Sequence, residues 1–582
     1  MSGLQEWVYQ VESGVVRIWL VRIALFCLIV GMAAWIGINE FHGLGSRESM
    51  DLAQQARQLS AGKGFTTDFI RPLALWQLRS KYGNDAPSVA KFPETLSPPL
   101  YPVILGGIFR LGELSHLVKF KLSPEDVRGM KVYPPDYLVL GFNLLLVLLS
   151  AVCVYAWAER QFDLGVAILG AVFFFGSTCL WDQALSGGVA CLVVFLYALA
   201  GYLLSNACCQ TEQMEEDGGG SAGGVWYLLA GIAFGLLPSV QFIQIWPVLA
   251  ILGVALVCLP QGRWWFFLGG ILGLGVFLAW LGRLWGVTGN PLGLNWAHLL
   301  ADSSKYPGTL LWRSYDFDLG KTEIWRKIGG LAIRGGAFLI SQGPQICGNA
   351  LVGCLGVLAL IHPFRRFSAM VGRNLWGVAL VALFMGTAFV QREGMDPEVP
   401  PLLGLLPVAC VFGAAFLWIL IERWKLEIEL LGQVFVVGVA FFVVTPTLAR
   451  LFFSNPTPFA YPPTYPPIFL YMRSWFEPNE LQASDLPAAE AWYSGQPTLW
   501  IPSTRVDFLK IHDRVSPVFS ILFTPASSDV RLYSQILAEK SEWVAWGDLI
   551  QRQKASDLPQ AFATSLPPNN EYLLLSTQKR WN

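Results

Sequence analysis

The stretch RESMDLAQQARQLSAGKGF, from Arg47 to Phe65, follows the first long apolar run almost at once. Leu52, Ala56 and Leu59 recur at helical spacing, while Glu48, Asp51 and Gln55 fall on another face. Gly62 and Gly64 then end the helix. So amphipathic a helix, directly after a span, is expected to lie at a membrane interface. Its two acids are one helical turn apart. They are either a catalytic pair at a membrane surface or ordinary first-turn acids favoured by the helix dipole.

Composition sets the setting of that helix. Of 582 residues, 54% are hydrophobic and 14% charged, well below the charge of a soluble globular chain. That much apolar surface calls for a polytopic membrane protein. A formal net charge of −1 gives no support for nucleic acid as a partner. The ten cysteines show no CxxC spacing, and the long polar stretches hold none, so no disulfide framework is expected. The first apolar run is long enough to span and has no cleavage-site pattern.

Eleven apolar runs are candidate transmembrane helices: 18–38, 136–157, 164–181, 184–204, 226–241, 243–259, 264–286, 346–362, 375–391, 401–421 and 430–450. Pro238 and Pro247 interrupt the fifth and sixth, which read as half-spanning helices or one kinked span. With the N-terminus inside, the inner loops receive Arg17, Arg160, Arg263, Arg365, Arg366, Arg373, Arg423 and Lys425. Three polar parts, 39–135, 287–345 and 451–582, then share the outer face. The last opens on a Pro-rich linker, 451–470. In 471–582, PTLWIP, VFSILFTP and EYLLLSTQ read as buried strands. VDFLKIHDR and VRLYSQILAEKSEWVAWGDLI read as helices, so a small α/β domain is expected.

The order of motifs in the first loop carries a resemblance. Glu48, then Ala56, then RQLSAGKGF, DFIRP and PPLYPVILGGIFRL is similar to the first periplasmic loop of GT-C membrane glycosyltransferases. It most resembles the bacterial group of protein O-mannosyltransferases and lipid A aminoarabinose transferases. The run FDLGVAILGAVFFFGSTCLWDQALSGGVACLVVFLYALAGYLL looks like that group's third and fourth spans. The resemblance implies a GT-C-like transmembrane domain, 1–450, with interfacial helices in its first loop and a periplasmic α/β domain behind it.

What the resemblance implies chemically is sugar transfer from a polyprenyl-phosphate donor to a glycan, lipid or protein acceptor at the periplasmic face of a bacterial inner membrane. The first-loop acid would act as general base. Glu48 matches that position, and Asp51 is a second acid one turn on. Arg71, Lys63, Lys305, Arg313 and Arg334 are the cations available to a phosphate, and Asp182 an acid available to the donor site. Asp68 and Arg71, three apart, are also spaced for a local pair.

No cofactor is implied beyond the lipid-linked donor, and the five histidines show no zinc-ligand spacing, so no metal site is indicated. Glycines in GGILGLG, 269–275, signal close helix packing. The chain departs from the group's pattern at several points. Glu48 stands where Asp is commoner, Leu52 replaces an aromatic residue, and SGG follows Asp182 in place of a second acid. These departures motivate an alternative, a catalytically silent GT-C-like scaffold whose C-terminal domain docks partner subunits. A transporter ranks last, because the chain shows no internal repeat.

Overall fold

The computed structural model describes residues 15–120, 130, 132–216, 223–259, 261–301, 306–317, 350–387, 401–424, 429–452, 459, 461–528, 542–551 and 558–581. Lys305, Arg334 and most of the helix expected over 530–550 lie outside them.

The chain is an α-helical polytopic membrane protein with a small C-terminal α/β domain. Helix α1 (Val15–Asn39) leads to α2 (Arg47–Ser60), strand β1 (Phe69–Ile70), α3 (Pro72–Tyr82) and α4 (Leu100–Leu114). The membrane domain continues with α5 (Pro134–Gln161), α6 (Leu164–Phe175), α7 (Thr178–Ser186) and α8 (Ala190–Glu216). Then come α9 (Gly224–Leu236), α10 (Ile245–Cys258), α11 (Arg263–Thr288), α12 (Ala350–Ile361), α13 (Phe367–Thr387), α14 (Leu406–Arg423) and α15 (Glu429–Phe452).

Among the described residues, each of the eleven apolar runs carries helix. Seven described helices are long and apolar enough to cross a membrane, and the pair α6–α7, bent by 53°, makes an eighth. The bend falls at Gly176, where any side chain would strike Val443 of α15, and Ser177 recaps the chain by accepting from Leu180 N at 3.3 Å. Gly224–Ser239, Phe242–Cys258 and Ala350–Ile361 are shorter apolar helices. The glycines of 269–275 do pack closely. At Gly231 and Gly235 of α9, and at Gly269 and Gly273 of α11, a Cβ would overlap the facing backbone.

Beyond the membrane domain lie α16 (Pro466–Trp475), β2 (Leu481–Ser484), α17 (Pro487–Ser494), β3 (Thr498–Trp500), α18 (Arg505–Arg514), β4 (Val518–Phe523), β5 (Phe562–Leu566) and β6 (Tyr572–Ser576). The sheet runs β1-β3-β2-β4-β6-β5. The first four strands are parallel, and β6 pairs antiparallel with both β4 and β5. The edge strand β1 comes from the first loop: Thr498 N donates to the Asp68 carbonyl at 2.7 Å, and Phe69 pairs with Thr498. The α/β unit is therefore completed by a segment over four hundred residues earlier. Its three expected strands are present, and β1, β2 and β5 join them. One continuous apolar cluster runs from Ile29 in α1 to Leu575 in β6, so the domain is packed onto the membrane part.

Candidate functional site

Helix α2 forms where local signals ask for it. Ser46 caps it, accepting from Ser49 N at 3.1 Å, Glu48 sits in the first turn, and Gly62 and Gly64 leave it at φ of +74° and +73°. Protein covers both of its faces, the polar one included. Met50, Leu52, Ala53 and Ala56 are buried, and so are Asp51, Gln54, Gln55 and Gln58 on the polar side. Helix α4 covers one side: at Gly106 an added Cβ would press on the Ala56 carbonyl at 3.0 Å. Helix α17 of the C-terminal domain covers another. Arg57 donates to the carbonyls of Ala491 at 2.8 Å and Trp492 at 2.5 Å, with its guanidinium over the Trp492 ring. Arg47 stacks over Trp500 of β3. Buried polar side chains need internal partners; Gln54, Gln55 and Gln58 find theirs within the first loop, in Asp51, Thr67, Ser97 and Asp68, while Arg57 takes the carbonyls of α17.

The two acids of α2 have different surroundings. Asp51 is 3% exposed and pairs with Arg71 at 2.9 Å. Its Oδ1 accepts from Gln54 at 2.9 Å and Gln55 at 3.0 Å. Glu48 remains half-buried. It acts electrostatically on Tyr101, the tyrosine of PPLYP, whose hydroxyl is pushed up by burial first, then by Cys191 and by the Glu48 charge. Tyr101 bridges the Asn143 side chain and the Gly187 carbonyl, both at 3.2 Å. The SGG turn thus packs beside the acid helix, and Gly45 N donates to Ser186 O at 3.3 Å. Gly187 has φ of +82°, and a Cβ there would overlap Leu44.

A carboxyl that the sequence did not single out completes this group. Glu94 is 2% exposed; its Oε1 accepts the backbone N–H groups of Thr95, Leu96 and Ser97 at 3.0, 2.7 and 2.9 Å. Its Oε2 is buried without a hydrogen-bond donor. Burial raises its pKa, the Asp51 charge adds to the rise, and Arg71 opposes it. Burial and the like charge of Asp51 are what favour a proton on Glu94. The only sequence signal was its place three residues before SPPLYP.

The remaining candidates divide. Arg71 is committed to Asp51 and lies over the Phe69 ring, 4.0 Å from its centroid. The local pair of Asp68 with Arg71 does not form: Asp68 meets Arg57 at 3.3 Å and Gln58, because β1 turns the two side chains apart. Arg313 is fully buried; it donates to the carbonyls of Ile501 at 2.8 Å and Pro502 and Glu542 at 3.3 Å, and lies 3.5 Å from the Trp543 ring centroid. Burial pulls its pKa down to about 10. It ties the middle loop to the α/β domain. Lys63 is exposed at the turn after α2. Asp182 pairs with Arg450 of α15 at 2.7 Å, with Glu40 in the same field. Among the described residues, no cluster of three or more His, Cys, Asp or Glu is placed to hold a metal.

No family model matches the sequence, and no curated protein does either. Solved structures do. The Archaeoglobus fulgidus oligosaccharyltransferase, in complex with Zn and sulfate, superposes with a TM-score of 0.53 at 10% identity, over 88% of this chain and 69% of that one. The archaeal oligosaccharyltransferase AglB from Archaeoglobus fulgidus, with an inhibitory peptide and a dolichol-phosphate, also gives 0.53, at 11% identity, over 90% and 72%. ArnT from Cupriavidus metallidurans bound to undecaprenyl phosphate gives 0.49 at 11%, over 97% and 98%.

Proposed function

We propose that this chain, which has the GT-C fold, transfers a sugar from a polyprenyl-phosphate donor to an acceptor at the periplasmic face of a bacterial inner membrane, with Glu48 as general base. The fold supports the reaction class, since AglB, of the same fold, has been captured with dolichol-phosphate and a peptide. The Lys and Arg distribution supports a cytoplasmic N-terminus and puts α2 and the α/β domain outside.

One observation carries the choice of residue. Asp51 is buried and held by Arg71, Gln54 and Gln55, whereas Glu48, in the first turn of the same helix, is only half-buried. In the reaction, the acceptor O–H gives its proton to the Glu48 carboxylate as the oxygen attacks the anomeric carbon. The bond from that carbon to the phosphate oxygen breaks, inversion results, and polyprenyl phosphate leaves. A base placed this way contributes about 10²–10⁴-fold. Transfer from a lipid-linked sugar should therefore fall at least about 100-fold in Glu48→Gln; unchanged turnover in that variant discards the assignment.

A second reading, a silent scaffold that docks partner subunits, draws on the cations. Arg71 and Arg313 are both consumed inside the protein, which leaves Lys63 as the exposed member of the described set. A stoichiometric complex that copurifies without lipid-linked sugar would favour it.

A further inference from the structure

The far side of the membrane domain carries a groove that the sugar-transfer reading does not use. Helix α5 fixes which side it is on. It starts with Asp136 beneath Trp492 and ends at Gln161, whose carbonyl accepts from Arg366 at 3.0 Å. Arg366 immediately precedes α13, so the first turns of α13 sit at the end of α5 remote from α2.

There a groove of 760 Å³ opens between α10, α12 and α13. Val254, Leu360, Val378 and Val381 give it apolar walls, and Arg373 is the charged residue that lines it. Gly377 leaves its floor open, for an added Cβ would meet nothing within 4 Å. Arg373 donates to the His362 carbonyl at 3.0 Å and to Asn374 Oδ1 at 3.2 and 3.0 Å. All of these acceptors are neutral, so the bonds orient the guanidinium without cancelling its charge. Arg423 brings a second positive charge into the field at His362.

An apolar trough with uncancelled positive charge at its rim matches an amphiphile with a hydrocarbon chain and an anionic head. A zwitterionic lipid would compensate the guanidinium less. A free phosphate would leave the trough empty. We propose that this groove holds an anionic glycerophospholipid of the leaflet opposite α2, its acyl chain along Gly377 and Val381 and its phosphate at Arg373.

Thermal unfolding and native mass spectrometry of the full chain in detergent test this, with dioleoylphosphatidylglycerol and dioleoylphosphatidylcholine as probes. The glycerol lipid should raise Tm and remain bound, and the choline lipid should do neither. Arg373→Gln should weaken that binding about fivefold, Arg373→Lys should largely keep it, and Gly377→Leu, which fills the floor, should abolish it. Val381, 63% exposed, offers a second plug as Val381→Trp should Gly377→Leu not fold. Equal binding of the two lipids, wild-type binding in Arg373→Gln and the plugged variant, or displacement of the glycerol lipid by polyprenyl phosphate would overturn the proposal.

Discussion

Trp492 of the C-terminal domain donates its indole N–H to Asp136, at the start of α5, across 2.8 Å and 356 residues of chain. Tyr493 donates to the other oxygen at 3.1 Å. Asp136 is fully buried, so these two residues supply an acid that water does not reach. The same Trp492 stacks on Phe109 of α4 and lies beneath Arg57 of α2. One side chain thus ties the α/β domain to the first loop and to the membrane domain. Trp492→Phe keeps a ring but removes the donor. It should cost about 1–3 kcal/mol in unfolding free energy, and Asp136→Asn in the same background should recover part of that loss.

The Asp51–Arg71 pair should matter more to stability than to chemistry. Both side chains are about 95% inaccessible, with relative exposures of 4% and 5%. Losing one partner strands a buried charge, so Arg71→Leu should destabilise the chain by about 3–5 kcal/mol. Asp51→Asn keeps the shape and should lower Tm while leaving turnover of the folded fraction near wild type. A loss of turnover in Asp51→Asn as large as that in Glu48→Gln would show that both acids work in the reaction.

Glu490 of α17 gives the C-terminal domain a pH response. It is fully buried with neither oxygen hydrogen-bonded, and its pKa rises from 4.5 to about 8, through burial first and then the Asp485 charge, against Ser484. Between those values the unfolded chain has released this proton and the folded chain still holds it. The unfolded state then binds fewer protons, so stability falls as pH rises through this window. Thermal unfolding at pH 5 and pH 8 should show the fall, and Glu490→Gln, neutral throughout, should reduce it.

Gly187 should not tolerate a side chain. Its φ of +82° is strained for any L residue, and a Cβ would overlap Leu44 beside α2. Gly187→Ala should lower stability by about 1–3 kcal/mol. Because the Gly187 carbonyl receives the Tyr101 hydroxyl, the same change should also raise KM or lower kcat in the transfer assay. A control, Gly141→Ala, places its methyl where nothing lies within 4 Å and should do neither.

Much of this protein could be read from the order of its residues. Hydrophobic runs mark the apolar helices of the membrane domain, because a backbone in lipid must satisfy its own hydrogen bonds locally. The cap at Ser46 and the glycines at 62 and 64 bound the acid helix by the same local logic. The GT-C fold was legible in the sequence of loop motifs. Partners far apart in the chain were not. Arg71 sits three residues from Asp68, yet it chooses Asp51, since β1 carries the two side chains to different neighbours. The roof of Arg57, Trp492 and Asp136 and the loss of Arg313 to three carbonyls arise only when the α/β domain closes over the first loop. Local backbone physics is written in neighbouring residues, whereas the charge state and access of each acid depend on what folding brings against it.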